Sequence, residues 1–450
     1  MKNRTNDIKV SSYEAKAGKD KKVPTKLPSI SPDFSENSKL HKKCLLLYSG
    51  GVDTSICVFL LQKYYGYEVI TLTIDVCQDV SWAKNMAKKA KKLGAIKSLI
   101  YEAKDEYADT YLSQVIKANG LYDDHYPIGT SIARPWQAKI AVDIAKQLKV
   151  DAIAHGNKGR GAGAFQFNMV INFFMPKQMK LVTPIGDWWP TRSEEVAFAL
   201  VNNIPIPVPQ DNPFSYDDNL MSNAINYGDI DDMGLEVPEA AFKWTVPVEK
   251  APNDPDIITL EYKKGLPVVL NGKKLGLADM FLTLNKLGGK HGIGRVDMIE
   301  NGLYGNKFKW VYEDPAAQIL IYAHKEIEKL VLPKETLWFK HELIDKKWTK
   351  LVYHALVYSP LAKALTAFID HIQPYINGKI TLKLYKGGYM VIKREAMSAL
   401  VNVDSHNLTF NFGLDTVPYG FEEYSFASKH PDVFVGHLGA YKKEKLKLSG

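Results

Sequence analysis

The chain has 450 residues, 46% of them hydrophobic and 11% aromatic, enough for two or three domains with sizeable cores. Its three cysteines (Cys44, Cys57 and Cys77) form no CxxC pair, which argues against a cysteine zinc site and fits a reducing compartment, the cytoplasm. The formal charge of +8 sits mostly in residues 1–43, with 11 Lys or Arg against 5 Asp or Glu, so the remaining body is almost balanced and offers little to a nucleic acid.

Residues 1–40 are rich in Lys, Ser and Pro and poor in large apolar residues, and read as a disordered basic extension. Their start, "MKNRTNDIKV", has no apolar segment of the secretory kind. The apolar run "CLLLYSGGVDTSICVFLL" is broken by Ser49, Gly50, Gly51 and Asp53, so no membrane span is expected. Leu45–Tyr48 reads as a short buried strand, Thr54–Tyr64 as a helix stopped by Gly66, and "EVITLTIDV" as a second buried strand. That is a βαβ unit, the mark of a parallel sheet with helices on its faces. The pattern repeats. "SWAKNMAKKAKKLGA" reads as helix and "IKSLIYEA" as strand, then "IARPWQAKIAVDIAKQLK" as helix and "DAIAHG" as strand.

"IPIPVPQDNP" punctuates the chain and sets a boundary near residue 205. Residues 206–405 mix strands ("DIITLEYKKGLPVVLNG") with helices ("LADMFLTLNKLGGKHG", "ILIYAHKEIEKLVL", "LAKALTAFIDHI") and read as an α+β domain. "KITLKLYKGGYMVIKRE" reads as a hairpin turning at Gly387-Gly388, and residues 406–450, with "GHLGAYKKEKLKL", as a C-terminal arm. The expected fold is therefore α/β: a parallel-sheet nucleotide-binding domain over 41–205, followed by an α+β domain.

The chemistry concentrates in "SGGVDTS", Ser49 to Ser55, directly after the first strand. Two glycines let the backbone turn tightly and approach a ligand. Ser49, Thr54 and Ser55 add hydroxyls, and the following helix turns its free N–H groups toward the loop. The result is an anion nest at the carboxyl end of a parallel strand. A Walker A lysine is missing, and so is a GxGxxG fingerprint. Asp53 beside phosphates implies a cation between them, and Mg²⁺ suits a site of few carboxylates and phosphate oxygens.

SGGxD[ST]S after a strand resembles the pyrophosphate loop of the ATP pyrophosphatases, which cleave ATP between its α and β phosphates. Among these the chain most resembles the argininosuccinate synthase family. The resemblance is collinear. It is carried by "YSGGVDTS" (48–55), "TLTIDVCQ" (71–78), "YPIGTSIARPW" (126–136), "AHGNKGRG" (154–161), "IPIPVPQDNPFSYDDNLM" (204–221), "GKHGIGRVDMIEN" (289–301) and "YEDPA" (312–316). It implies a nucleotide domain of the adenine nucleotide alpha hydrolase-like type, a synthetase domain, a C-terminal oligomerisation arm and a homotetramer. It also implies a ligase that forms AMP and pyrophosphate from small-molecule substrates: ATP, citrulline and aspartate. The ureido oxygen of citrulline attacks the α-phosphorus, and the amine of aspartate then displaces AMP.

Carried over by position, the resemblance implies ATP contacts at Leu47, Tyr48, Ser49, Gly50, Gly51, Val52, Asp53, Thr54, Ser55, Ile74, His155, Gly156 and Gly161, with Asp53 and Ser49 catalytic and Asp53 toward the metal. It implies citrulline contacts at Tyr126, Ser131, Gln166, Ser215, Glu300 and Tyr312, and amine-substrate positions at Lys158, Ala162 and Gly163. Read alone, Tyr126 and Tyr312 suit a core equally, Ser131 a helix cap, and Glu300 a surface ion pair. Arg134 is expected to orient its helix, and His155 to be structural or near ATP.

In one stretch the chain departs from the resemblance. The family reads Gly-x-Thr-Gly-Lys-Gly-Asn-Asp-Gln-x-Arg-Phe-Glu where this chain reads "GNKGRGAGAFQFN", 156–168. The threonine becomes Lys158, the aspartate-holding Asn-Asp pair becomes Ala162-Gly163, and a citrulline-contacting arginine becomes Gln166. A second citrulline serine falls on Ala224, and a glycine on Cys77. Three readings follow: a synthase with compensating residues, a diverged synthetase joining another ureido compound or amine in a specialised pathway, or a non-catalytic ATP-binding paralogue. The intact loop speaks against the third. The neutral body and the lack of a cysteine pair speak against a tRNA-modifying pyrophosphatase.

Overall fold

The computed structural model describes residues 42–76, 80–158, 162–188, 190–206, 214–226, 230 and 232–400. The N-terminal extension, the C-terminal arm, Cys77, Gly161 and residues 207–213 of the boundary segment lie outside these.

The first strand, β1 (Lys43–Leu47), is buried at Cys44, Leu45 and Leu46, as a strand covered on both faces must be. β2 (Glu68–Asp75) and β3 (Lys97–Glu102) follow on one side of it in parallel. A two-strand hairpin, β4 (Leu121–Tyr122) and β5 (Tyr126–Pro127), leads into the helix Gly129–Leu148. β6 (Ala152–Ala154) then returns to the other side of β1, and β7 (Lys180–Val182) completes the sheet. The order is β3-β2-β1-β6-β7, all parallel. The chain reverses its direction of travel between β1 and β6, and the crevice beyond the carboxyl ends of those two strands is where such a sheet binds ligands.

The helices differ from expectation mainly at their starts. α1 runs Val52–Lys63 from Gly51 as its cap, two residues before the expected Thr54. A glycine cap offers no side-chain oxygen to read in the sequence. α2 spans Val80–Lys92 and carries Lys89, Lys91 and Lys92 in its last turn, where they meet the negative end of the dipole. Helix Gly129–Leu148 begins three residues before the expected Ile132 and ends at Lys149 in the left-handed conformation (φ 52°).

Beyond the boundary segment, β8 (Ser215–Asp218), β9 (Asn223–Asn226), β13 (Arg295–Asn301) and β14 (Lys307–Glu313) form an antiparallel sheet ordered β13-β14-β9-β8. A second antiparallel sheet joins β10 (Asp256–Lys263), β11 (Leu266–Leu270), β12 (Lys273–Lys274), β15 (Gly378–Tyr385) and β16 (Gly388–Glu395). Its last hairpin turns at Lys386 and Gly387, both with positive φ (39° and 79°), one residue earlier than the pair of glycines suggests. That is the primed turn whose twist matches the strands.

Helices Leu277–Lys290 and Pro315–Val331 pack against each other and against the second of these sheets. One hydrophobic cluster runs from Leu45 and Leu72 of the parallel sheet through Trp136 and Tyr312 to Leu382 and Leu384. No helix among the described residues is long and apolar enough to cross a membrane.

Candidate active site

The pyrophosphate loop sits at the end of β1. Tyr48 N–H still donates to Leu72 of β2 (2.9 Å), and the Thr73 hydroxyl donates to the Tyr48 carbonyl (3.0 Å). The chain then turns at Gly50 with φ 76°, a conformation that favours glycine. A Cβ on Gly50 would also fall 2.0 Å from Met86 Sδ. The Ser49 hydroxyl lies 3.2 Å from that of Thr54, and Ser55 donates to the Gly50 carbonyl (3.4 Å). No side chain caps α1, so its first N–H groups face the loop. From outside, Lys89 Nζ on α2 donates to the Gly50 carbonyl at 2.6 Å, and burial lowers the pKa of this ammonium.

A charge network surrounds Asp53. Arg192 Nη1 lies 3.1 Å from Asp53 Oδ1 and 3.1 Å from Glu195 Oε2, and Lys158 Nζ lies 3.1 Å from Glu195 Oε1. Glu195 is fully buried, and burial first, then the charge of Asp53, pushes its pKa up to about 7. Arg192 and Glu195 lie on the helix Arg192–Val201, which Thr191 and Glu194 start with a capping box.

The strand end beyond β6 joins this loop to a second cluster. At Gly156 an added Cβ would come 3.0 Å from Thr54 Cγ2, so the two segments are in direct contact. His155 is buried, accepts the Asn157 N–H at Nδ1 (3.2 Å) and therefore presents Nε2–H to Asn168 Oδ1 (2.7 Å). Burial lowers its pKa, so the imidazole is neutral and acts as a pin between the strand end and the helix Ala162–Phe174. A Cβ on Gly163 would press on Asn157 Oδ1 and Arg134 Cζ, both at 3.1 Å.

Arg134 donates to Asp217 Oδ2 (2.5 Å) and to Gln166 Oε1 (3.3 Å). Gln166 is fully buried, and its amide N–H reaches the Tyr353 carbonyl (2.8 Å). Both ends of that side chain are thus engaged by protein.

Around this pair stands an aromatic and carboxylate cluster. Tyr126 stacks on Tyr312 with ring centroids 4.4 Å apart. The Tyr126 hydroxyl accepts the Ser131 N–H (3.3 Å) and lies 3.4 Å from the Ser131 hydroxyl. Ser131 is inside the first turn of its helix, not at the cap. Pro135 has no N–H to donate to the Ser131 carbonyl. Glu300 is buried and takes Tyr312 O–H at Oε2 (2.7 Å) and Tyr353 O–H at Oε1. Burial raises its pKa above the carboxylate norm, against the pull of those two hydroxyls. Tyr353 in turn stacks on Tyr122 at 3.9 Å. In the sheet, Tyr312, Ala224 and Asp217 stand side by side in register, and Ser215 shares the face of Asp217 two residues along. Ala224 is buried between Tyr312 and Asp217 and offers only a methyl group.

The structure thus gathers Tyr126, Ser131, Gln166, Glu300 and Tyr312 in one connected cluster, with Ser215 on its sheet face. It seats Leu47 and Ile74 at the ends of β1 and β2. Sequence reasoning did not single out Arg192, Glu195, Asp217 or Tyr353. The capping box at Thr191 was a readable sign of the helix that supplies the first two. Nothing local marks Tyr353, which arrives from a helix more than 200 residues after Tyr126. A further group, Glu328, His341 and Asp345, has the spacing of a metal site, but the ammonium of buried Lys340 already lies 2.9 Å from Glu328 and 2.8 Å from Asp345. It is a closed ion cluster.

Comparison with known proteins agrees with this geometry. The family described as Arginosuccinate synthase N-terminal HUP domain matches residues 43–205, and Arginosuccinate synthase C-terminal domain matches 214–419. The argininosuccinate synthase of Pyrobaculum aerophilum is 42% identical over 354 residues, 79% of this chain and 88% of that protein. Those of Pyrococcus furiosus and Oceanobacillus iheyensis are 42% and 41% identical over 80% and 81% of this chain, and 87% and 86% of their own lengths. Over most of its length, loop and cluster included, the chain belongs to the argininosuccinate synthase family.

Proposed function

We propose that the chain is an ATP-dependent carbon–nitrogen ligase that joins citrulline to aspartate, forming argininosuccinate, AMP and pyrophosphate. One observation carries the reading. The segment Gly156–Asn157 touches the pyrophosphate loop at Thr54 on one side and the Arg134–Gly163 contact on the other, so phosphates and amino acid would meet across a single strand end.

In the first step the ureido oxygen of citrulline forms a bond to the α-phosphorus, and the bond from that phosphorus to the β-phosphate bridge breaks. Pyrophosphate leaves into the nest of Ser49–Ser55, beside the free N–H groups at the start of α1 and the paired Ser49 and Thr54 hydroxyls. In the second step the amine of aspartate adds to the activated carbon, its proton is lost, and AMP departs with the ureido oxygen. The chain's contribution is chiefly orientation. Glu300 suits the α-ammonium of citrulline as a carboxylate held by two tyrosines, and the Ser131 and Tyr126 hydroxyls suit its carboxylate or ureido group. Arg134, held by Gln166 and Asp217, supplies a guanidinium to this cluster, and Gln166 acts through it.

Mg²⁺ fits beside the loop. Arg192 engages only Oδ1 of Asp53 among the described residues, so Oδ2 is left to hold the ion with phosphate oxygens. When bound, the ion supplies charge neutralisation at the leaving phosphates. Assembly as a homotetramer through the C-terminal arm, and a cytoplasmic setting, complete the proposal.

The test is incubation with ATP, Mg²⁺ and citrulline, with and without aspartate. Stoichiometric AMP, pyrophosphate and argininosuccinate are expected only in the complete mixture. Pyrophosphate release without argininosuccinate would instead favour the diverged synthetase, which the departures at Ala162, Gly163 and Gln166 keep as the second reading.

A further inference from the structure

We infer that Lys158, held by the buried carboxylate of Glu195, is a positioning cation for the outer phosphates of ATP and for the departing pyrophosphate, acting with Arg192, and that it does not serve the amino-acid substrates. The inference rests on the reading of Ser49–Ser55 as the pyrophosphate loop.

Where the family resemblance places a threonine, this chain carries an ammonium, and its partner is on the phosphate side. Glu195 is fully buried, and its two oxygens face two cations, Lys158 at 3.1 Å and Arg192 at 3.1 Å. Neither contact is needed to start the helix, because Thr191 and Glu194 already form its capping box. The same guanidinium nitrogen that meets Glu195 also meets Asp53, inside the loop. Lys158 itself is two residues beyond Gly156, which packs against Thr54.

The exposures give the arrangement a direction. The Glu195 side chain is 0% exposed, while those of Lys158 and Arg192 are 27% and 35% exposed. The acid is therefore sealed behind the cations. An ammonium has three donors and a guanidinium five, so several N–H groups remain beyond those spent on Glu195 and Asp53. Two acids and two cations balance locally, and a polyanion arriving at the loop meets cations whose anchor is already fixed, which lowers the cost of ordering two long side chains. A residue recruited for aspartate would instead be expected to lean toward Ala162, Gly163 and Arg134. No contact of that kind involves Lys158 among the described residues.

The experiment is calorimetric binding of inorganic pyrophosphate and of AMP to the full chain, wild type against Lys158→Met, Lys158→Arg, Glu195→Gln and the double variant Lys158→Met/Glu195→Gln. KM for ATP and for aspartate is measured alongside. Lys158→Met is expected to weaken pyrophosphate about tenfold, the loss of one charge-assisted contact, and to leave AMP, which lacks the outer phosphates, unchanged. Lys158→Arg retains most of the affinity. Glu195→Gln weakens pyrophosphate in the same direction, and the double variant is no weaker than Lys158→Met alone. KM for aspartate stays as in wild type. Unchanged pyrophosphate affinity in Lys158→Met, an equal loss for AMP, or a raised KM for aspartate in place of the pyrophosphate effect would overturn the assignment. Failure of the wild-type chain to bind pyrophosphate at all would overturn the loop reading itself, and this inference with it.

Discussion

The Tyr312 hydroxyl donates to Oε2 of Glu300 at 2.7 Å, and the Tyr353 hydroxyl donates to the other oxygen of the same buried carboxylate. One donor from the neighbouring strand and one from a later helix thus hold one acid beside Tyr126 and Ser131. Glu300→Gln keeps the shape but removes the charge and replaces one of the two acceptor oxygens with a donor. It is expected to lower kcat/KM for citrulline by about 10–100-fold, the worth of a charge-assisted contact, with KM for ATP little changed. Steady-state kinetics with each substrate varied in turn checks this.

The same carboxyl sets a pH dependence. Burial raises its pKa above the ordinary 4.5, and the hydroxyls of Tyr353 and Tyr312 lower it in part. Only the ionised form pairs with an ammonium. KM for citrulline is therefore expected to climb as pH falls, beginning above the range of an ordinary glutamate. Tyr353→Phe removes one donor to the charged form and should move the inflection to higher pH, whereas a tyrosine with a purely packing role would leave it in place.

Gly50 tests the loop. Its φ of 76° and the 2.0 Å approach of an added Cβ to Met86 Sδ make Gly50→Ala doubly unfavourable. A cost of about 1–3 kcal/mol at the loop is expected, seen as a raised KM for ATP with a smaller fall in thermal stability. Adding Met86→Ala removes the steric part and leaves the conformational part, so the double variant should recover only some of the loss.

Lys340 tests the fold at a distance from the site. Its ammonium is fully buried between Glu328 and Asp345, with Asn119 donating to both carboxylates. Lys340→Met leaves two buried acids facing each other and is expected to destabilise the protein by about 3–5 kcal/mol in denaturant unfolding. Wild-type stability in this variant would mean that the carboxylates find other partners.

The βαβ unit and its loop were legible because each carries a local signal: a short apolar run, two glycines, then an apolar-faced helix. The β3-β2-β1-β6-β7 order was not, since nothing within a strand says which side of β1 its partner takes. Tyr126, Ser131, Glu300 and Tyr312 were placed through the family resemblance, and the structure links them by stacking and hydrogen bonds. Their supports were invisible for a physical reason. Asp217, Gln166 and Tyr353 act through contacts spanning 32 to 187 residues, which no periodicity encodes. The departures in "GNKGRGAGAFQFN" also change meaning. Gln166 is a strut under Arg134, the bareness of Gly163 is matched by the guanidinium pressed against it, and Lys158 is tied to Glu195.

The most direct test of the proposed chemistry follows the ureido oxygen. Citrulline labelled there with a heavy oxygen isotope is supplied with ATP, Mg²⁺ and aspartate, and the products are separated for mass spectrometry. Adenylation through that oxygen predicts label in the phosphate of AMP and none in pyrophosphate or argininosuccinate. Unlabelled AMP formed together with argininosuccinate would contradict it.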